Sequence, residues 1–221
     1  QHDLLMKTAM EQEYYTRAFG ETAMHLIRKC PCPVLIERPE HDLGEPDGAA
    51  DRARNHVAVC IDPAPEDDGR NALMAKLLDF GNLFANAHGK LSILHSWATY
   101  GEHLTTSHFG GQAAEAYREE VRDRVNAYLH DFVRNQAPNV TKQQLHLLEG
   151  EPEHKIPEFA HVEDVDLLIM GNVARTGIKG LLIGNTAESL LNQVRCSVLV
   201  AKPDGFISPI EPALEKEASH G

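Results

Sequence analysis

Two glycine-containing segments late in the chain have the residue types of an anion-binding site. Gly171 ends an apolar run and would let the backbone approach a ligand closely, because glycine carries no Cβ. Gly184-Asn185-Thr186 precedes a predicted helix that Asn185 or Thr186 can cap, and the first backbone N–H groups of that helix attract an anion. Arg175, between the two segments, would add positive charge. The pattern predicts a phosphate site, and a purely structural helix start is the alternative.

Other reactive side chains lack the partners that catalysis or metal binding would need. The sequence contains neither a Gly-x-Ser-x-Gly elbow nor a Gly-x4-Gly-Lys loop. His95 lies on a predicted core strand, where a packed histidine is commoner than a catalytic one. His103 and His108 share a glycine-rich loop, and His154 and His161 flank a short helix, but none forms an i, i+4 pair with an acidic partner. We therefore predict a binding protein rather than an enzyme, with no metal site.

The four cysteines are expected to be structural. Cys60 and Cys196 each lie in an apolar, strand-like run, which favours reduced, buried thiols in a cytosolic protein. Cys30 and Cys32 are separated by Pro31 alone, so they lack the two-residue spacer of a redox or zinc motif.

Composition and charge exclude several classes of protein. A chain of 221 residues that is 42% hydrophobic and 24% charged is typical of a soluble globular protein. Its net charge of −12 repels a phosphate backbone and disfavours nucleic-acid binding. No apolar run is long enough to span a membrane, and the start resembles no signal peptide. We expect a cytoplasmic protein, and the missing initiator Met suggests that the chain begins partway through a longer gene product.

Strand-like and helix-like segments alternate from His56 onward. This alternation predicts a parallel sheet that is covered by helices on both faces. A glycine-rich stretch over 99–112 is predicted to be a loop, and Pro157 is expected in the first turn of its helix. The predicted strands cover 56–61, 91–95, 145–148, 166–170 and 197–201, and the predicted helices cover 73–84, 117–132, 156–162 and 186–194.

An internal repeat changes the expected number of domains. A constant shift of 164 residues places identical residues on each other without a gap. The pairs are Leu4/Leu168, Met6/Met170, Gly20/Gly184, Thr22-Ala23/Thr186-Ala187, Leu26/Leu190, Cys32/Cys196, Val34-Leu35/Val198-Leu199 and Pro39/Pro203. We therefore predict that 1–39 is the C-terminal strand–helix–strand of a first domain copy, 40–54 a linker, 55–204 a complete second copy and 205–221 a loose tail.

The truncated first copy needs a partner for its apolar strand Val34-Leu35-Ile36. The equivalent strand of the second copy, Val198-Leu199-Val200, is the natural candidate, because pairing would cover an exposed sheet edge. The predicted contact through the fifth strands could form within one chain or in a homodimer.

The C-terminal motifs resemble those of the universal stress proteins. The matching segments are Asp166–Gly171, Thr176-Gly177 and 182–187, together with Gly150-Glu-Pro152. The spacing Gly171-x2-Ala174-x9-Gly184-Asn185 falls on the nucleotide motif of that family. The resemblance covers about residues 56–203 and, through the repeat, 1–39, which is similar to the tandem-domain branch of the family.

This resemblance implies a doubly wound α/β fold of the adenine nucleotide alpha hydrolase-like type. Its five-stranded parallel sheet has the order 3-2-1-4-5, and ligands bind where that order reverses, between the strands that end at Asp62 and Gly171. By resemblance, ATP with Mg²⁺ would be held by Asp62 near the adenine and ribose, by Ser96 and Met170-Gly171, and by residues Gly184 to Thr186 at the phosphates.

The sequence departs from the family motif at several positions. Ala174 stands where the family has its second glycine and adds a Cβ beside the expected phosphates, and Asn185 replaces a hydroxyl residue. In the first copy, Lys7 and Glu21 occupy the positions of Gly171 and Asn185. A carboxylate at that place repels phosphate, so only the second copy is expected to bind nucleotide.

Two functional hypotheses follow from these residues. The first is a cytoplasmic stress-response sensor that binds ATP or a related nucleotide under the loop 99–112, with slow ATP hydrolysis as its greatest expected activity. The second is a scaffold with a degenerate site, which acts through dimerisation or binds an apolar, lipid-like ligand. For Asp62, stabilisation of the turn before Pro63 is the structural alternative.

Overall fold

The computed structural model describes residues 3–9, 19–38, 56–64, 66–85, 89–98, 111–139, 144–172 and 185–208, without the side chains of Asn185 and Thr186. Within these ranges the chain forms one sheet and five helices. The strands are β1 (Leu5–Thr8), β2 (Val34–Glu37), β3 (His56–Cys60), β4 (Lys90–Trp97), β5 (Leu145–Glu149), β6 (Leu167–Gly171) and β7 (Ser197–Ala201). The helices are α1 (Glu21–Lys29), α2 (Asp68–Phe84), α3 (Gly111–Gln136), α4 (Pro152–Val162) and α5 (Asn185–Leu191).

The sheet has the order β1-β2-β7-β6-β3-β4-β5. From β3 to β7 this is the expected 3-2-1-4-5 order with all strands parallel, so the predicted fold class is confirmed. The order reverses next to β3, because β3 pairs with β4 on one side and with β6 on the other.

Both faces of the sheet are buried, as the apolar strands predict. On β3, Ala58 packs into one hydrophobic cluster, while Val57 and Val59 pack into a second cluster with α2 residues such as Leu77. All four side chains are 0% exposed. Alternate side chains of a strand point to opposite faces, so the central strands can be apolar throughout only when both faces are covered.

The first strand–helix–strand unit extends the sheet beyond β7. Val34, Leu35 and Ile36 pair with Val200, Leu199 and Val198, which confirms the predicted partner of this strand. The pairing is antiparallel, whereas β1 and β2 are parallel to each other. An ion pair of 2.7 Å between Arg28 and Glu188 also joins α1 to α5.

Helix α2 lies close to the sheet because of a glycine. A Cβ at Gly81 would lie 2.5 Å from Val59 Cγ2 and 3.1 Å from Leu91 Cδ1. The helix begins at Asp68, five residues before the first apolar residue of its predicted pattern, and the Asp67 carboxylate caps it by accepting from the Arg70 N–H at 2.9 Å. This first turn carries few apolar residues, so its periodicity did not reveal it.

Helix α4 differs from its prediction. It begins at Pro152 rather than near Ile156, which puts Pro157 in the helix interior and not in its first turn. An interior proline has no N–H to donate to the carbonyl four residues earlier, which is that of Glu153. The Gln193 side chain donates to that carbonyl instead, at 3.0 Å.

The predicted loop over 99–112 is too long at its C-terminal end, because Gly111 and Gln112 already belong to α3. The rest of that loop, the linker 40–54 and the tail beyond residue 208 lie outside the described residues. The buried residues of α3, which include Leu129 and Phe132, lie in its C-terminal half, whereas Tyr117 on its predicted apolar face is 49% exposed.

Candidate functional site

The candidate site lies at the carboxyl edge of the sheet, where β3, β4 and β6 end. Cys60 pairs with Leu94, and Val59 pairs with Ile169. This register brings the residues after β3 beside Ser96 on one side and beside Gly171 on the other. A crevice outside the strand ends at such a reversal is the usual ligand position in open α/β sheets.

Asp62 is held by residues of the following helix. Its backbone N–H contacts Met74 Sδ at 3.1 Å, and its carboxylate Oδ2 accepts a hydrogen bond from the Arg70 guanidinium. The Asp62 side chain is 45% exposed. A charged, half-exposed carboxylate at the sheet reversal can bind ligand hydroxyl or amino groups, and Arg70 keeps it oriented.

His95 lies beside this pair and acts as a neutral group. Its Nδ1 is 2.9 Å from the Ile61 carbonyl oxygen and 3.9 Å from Asp62 Oδ1. A carbonyl can only accept, so Nδ1 carries the hydrogen. Burial lowers the pKa of His95, the bond to Ile61 raises it, and the nearby Arg70 charge lowers it. This agrees with the predicted packed histidine.

Ser96 is committed to a backbone contact. Its hydroxyl donates to the Gly150 carbonyl at 2.5 Å, and the Gly150 N–H donates to the Trp97 carbonyl at 2.8 Å. Gly150 has φ +128°, a conformation that side-chain-bearing residues rarely adopt. Two hydrogen bonds therefore hold the turn at Gly150 against the end of β4. The Ser96 oxygen can still accept a hydrogen bond from a ligand.

Met170 and Gly171 both have packing roles in the structure. The Met170 side chain is 5% exposed and lies in the core cluster, so only its backbone is offered to the site. A Cβ at Gly171 would lie 3.0 Å from Leu73 Cδ2 and 3.5 Å from Leu77 Cδ1. The close approach that glycine permits here is therefore the approach of α2 to β6.

The phosphate part of the predicted site is only partly described. Asn185 and Thr186 are the first residues of α5, as expected for a helix start. Ala174, Arg175 and Gly184 lie outside the described residues.

Asn172 and Arg70 belong to this edge but were not identified from the sequence. The Asn172 side-chain oxygen is buried and has no hydrogen-bond partner among the described residues, while its backbone N–H donates to Ala201 at 2.9 Å. Native proteins leave few buried acceptors unpaired, so the oxygen marks a place for a donor. Two features of the sequence could have indicated them. An amide residue directly follows Gly171, and Arg70 lies in the first turn of α2, the helix that follows β3.

A second polar network lies at the opposite, amino-terminal edge of the sheet. His56 Nδ1 is 2.7 Å from the Glu163 carbonyl and its Nε2 is 2.9 Å from Ser92 Oγ, which lies 3.2 Å from His146 Nε2. These hydrogen bonds can all form with one direction of donation. His146 Nε2 donates to Ser92 Oγ, the Ser92 hydroxyl donates to His56 Nε2, and His56 Nδ1 donates to the Glu163 carbonyl. Ser92 is 0% exposed, so we assign this network to stability rather than catalysis.

The described residues contain no group of three or more His, Cys, Asp or Glu side chains that could hold a metal ion. They also contain no helix that is both long and apolar enough to cross a membrane.

Comparison with known proteins agrees with the fold. The universal stress protein family model matches residues 53–202. The chain is 29% identical over 217 residues to universal stress protein E of Escherichia coli K12, covering 95% of this chain and 64% of that protein. It is 27% identical over 219 residues to the same-named protein of Photorhabdus laumondii, covering 97% of this chain and 66% of that protein.

A solved structure shows the same fold. This chain superposes on a functionally unknown protein from Pseudomonas aeruginosa PAO1 with a TM-score of 0.68 at 24% identity, covering 92% of this chain and 64% of that one. The chain thus spans about two thirds of the length of the relatives it matches. With the family model matching its larger part and E-type relatives aligning over most of its length, this chain belongs to the universal stress protein family.

Proposed function

We propose that this chain is a cytoplasmic stress-response protein that binds ATP or a related nucleotide, with Mg²⁺, at the carboxyl edge between β3 and β6. Membership of the universal stress protein family supports the stress-response role. The observation that carries the nucleotide proposal is the pair of polar groups at this reversal: Asp62 offers a half-exposed carboxylate, and Asn172 offers a buried acceptor that has no partner among the described residues. A ligand rich in hydroxyl and amino groups could donate to both.

Gly184, Asn185 and Thr186 are proposed to bind the phosphates through backbone N–H groups at the start of α5, with Arg175 adding charge. Ser96 and the backbone of Met170 and Gly171 would complete the wall beside the nucleoside, while Ala174 would narrow the site. No set of catalytic residues is proposed, so the nucleotide would act as a signal and not as a substrate that turns over efficiently.

Calorimetric titration of the full chain with Mg-ATP tests this proposal. We expect micromolar binding that is lost in Gly184→Asp, because the new carboxylate would repel the phosphates. We also expect Asp62→Asn to weaken binding about tenfold or more, since it loses a charge-assisted hydrogen bond. Asp131→Asn is the matched control, because Asp131 is 67% exposed and pairs with Arg134 in the part of α3 that returns to the amino-terminal edge.

Asn172→Ala adds a readout that separates ligand contact from a general loss of folding. The Asn172 oxygen has no partner in the described part of the chain, so its removal should leave the ligand-free protein as stable as before or slightly more stable. It should nevertheless weaken ATP binding. Absence of binding up to millimolar ATP in the unmodified chain would refute the nucleotide proposal.

The alternative is a scaffold that binds no nucleotide or binds an apolar ligand, and one observation favours it. Leu73 and Leu77 fill the space beside Gly171, so packing alone accounts for that glycine. Retention of an apolar fluorescent probe together with no ATP binding would support this function. The antiparallel β2–β7 pairing supports contact of the two fifth strands within one chain, with 1–39 as the end of a first domain copy.

A further inference from the structure

Two cysteines lie together where α1 ends and the chain turns into β2. Cys30 caps α1, with its backbone N–H donating to the Leu26 carbonyl at 2.9 Å. The sulfur atoms of Cys30 and Cys32 are 3.2 Å apart, joined by a weak S–H···S hydrogen bond, and both residues are partly exposed. Pro31 restricts the backbone between them. A disulfide would require the two sulfurs to approach by only about 1.2 Å.

A buried lysine from the other end of the chain lies against this pair. Lys202 follows β7, is 3% exposed, and donates from Nζ to the Cys30 carbonyl. Its Nζ also lies 4.3 Å from the centre of the Phe206 ring. Among the described residues no carboxylate forms an ion pair with this ammonium. Buried charges normally have a counter-charge, and a thiolate at Cys30 or Cys32 would supply one.

Burial opposes the charged forms of these groups, and their mutual attraction offsets part of that effect. Burial lowers the pKa of Lys202 to about 8, while the two cysteines raise it. The pKa of the Cys32 thiol is raised by burial, then by its hydrogen bond to Cys30 and by the Cys30 charge, whereas Lys202 lowers it. Lys202 donates to the Cys30 carbonyl, so Cys30 is the sulfur placed to attack, with Cys32 as the second thiol.

We propose that Cys30 and Cys32 form a reversible dithiol–disulfide pair that is oxidised by hydroperoxides, with Lys202 as the cation that holds the attacking thiolate. The Cys30 thiolate attacks one peroxide oxygen, the O–O bond breaks, and the leaving oxygen takes a proton to become water or an alcohol. Cys30 is then a sulfenic acid. Cys32 loses its proton and attacks the Cys30 sulfur, so that an S–S bond forms, the S–O bond breaks and water leaves.

Two thiols and one hydroperoxide thus give a disulfide, water and an alcohol (or a second water), and a dithiol reductant returns the two electrons. A structural zinc site fits less well. Two thiolates on one tetrahedral zinc lie about 3.8 Å apart. The described residues also contain no third His, Cys, Asp or Glu ligand close enough to complete a metal site. The proposal is independent of nucleotide binding, because neither the pair nor its test involves a nucleotide.

The test is peroxide oxidation of the full chain at neutral pH, followed by alkylation of the remaining thiols, trypsin digestion and mass spectrometry. Trypsin cuts after Lys29, so one peptide contains both cysteines. We expect this peptide to lose two hydrogens and to regain them with dithiothreitol. Cys60 and Cys196 are internal controls, since burial raises the pKa of both thiols, that of Cys196 to about 12, and should keep them reduced.

Three variants test the individual roles. Cys32→Ser should stop the reaction at a Cys30 sulfenic acid, which a 1,3-dione reagent traps. Lys202→Met should slow oxidation several-fold, because the cation beside the thiolate is lost, while Lys202→Arg keeps the charge and should retain most of the rate. Circular dichroism checks the fold of each variant.

The proposal is overturned if both cysteines of the peptide remain alkylatable after peroxide treatment. It is also overturned if all four cysteines oxidise at the same rate, or if Cys32→Ser gives no trapped sulfenic acid. An unchanged oxidation rate in Lys202→Met would mean that Lys202 does not stabilise the attacking thiolate. If Lys202→Met does not fold, the Cys32→Ser trapping result decides the proposal.

Discussion

Gly171→Ala separates the two roles that the sequence and the structure suggest for this glycine. The sequence motif favours close approach of a ligand to the backbone, whereas the structure shows close approach of α2. The new Cβ would lie 3.0 Å from Leu73 Cδ2 and 3.5 Å from Leu77 Cδ1. Leu73 is 2% exposed and Leu77 is 0% exposed, so neither side chain can move outward into solvent.

The expected change in stability follows from two opposing terms. Overpacking of a core costs about 1–3 kcal/mol, and a single contact to the end of a leucine belongs at the lower end of that range. Replacing a strand glycine by alanine returns about 0.5–1 kcal/mol of backbone entropy. The difference between the two terms is small, so we expect Gly171→Ala to lower the free energy of unfolding by about 0.5 kcal/mol.

A double-mutant cycle with Leu73→Ala isolates the contact. Leu73→Ala alone should cost about 2–5 kcal/mol. In that background Gly171→Ala meets no δ-carbon at position 73 and should be neutral or stabilising, which gives a coupling energy of about 1 kcal/mol or more. Urea unfolding measures the four stabilities, and Mg-ATP titration of the same four proteins measures binding.

The ATP affinities of these four proteins then show whether Gly171 serves the ligand or the packing of α2. If Gly171→Ala weakens ATP binding to the same extent in both backgrounds, the Cβ interferes with the ligand itself. If it weakens binding only when Leu73 is present, the effect arises from displaced α2. Equal destabilisation by Gly171→Ala in both backgrounds, with coupling below about 0.5 kcal/mol, would refute the packing argument.

Three smaller perturbations test other parts of the fold. Burial lowers the pKa of His146 below 6.5, so the unfolded chain binds more protons than the folded chain just below that pH, and the free energy of unfolding should fall on acidification. His146→Gln should make the free energy of unfolding, measured by urea unfolding at several pH values, depend less on pH. A stronger pH dependence in the variant would contradict this. Gly81→Ala should lower the free energy of unfolding, measured by thermal unfolding, by about 1–2 kcal/mol, because the new Cβ meets Val59. Gly69→Ala in the same helix should raise it by up to about 1 kcal/mol, because its Cβ would lie 3.7 Å from the nearest neighbour. A change of the same sign in both variants would count against the packing of α2. Gln193→Ala should cost only about 0.5 kcal/mol, because water can replace its exposed hydrogen bond to α4, and a cost above about 2 kcal/mol would mean that this bond holds the interior proline in place.

The fold class and the partner of β2 were predictable from patterns along the chain, and the strand order from the resemblance to the universal stress proteins. Apolar runs of strand length alternating with helical periodicity predict a doubly covered parallel sheet, and the structure has that sheet. The repeat at a constant shift predicted which strand Val34–Ile36 would pair with, since equivalent residues form equivalent strands. It did not predict that the pairing would be antiparallel.

Helix boundaries were less predictable, for local physical reasons. Pro157 suggested a helix start, but Pro152 occupies that position and Gln193 satisfies the carbonyl that Pro157 leaves without a donor. The donor to this carbonyl is a side chain 40 residues away in the sequence. No pattern within the helix carries that information.

The sequence by itself determined the family motifs and, through the resemblance they carry, the sheet order and the edge where Asp62 and Gly171 lie, because those motifs consist of residues that are neighbours along the chain. The tertiary structure alone decided which side chains meet at that edge and beside it. Gly171 contacts Leu73, the buried Asn172 oxygen has no partner within the described ranges, and Lys202 contacts Cys30 across 172 residues. These contacts depend on distances of a few tenths of an ångström between separate segments, and composition and spacing do not specify such distances.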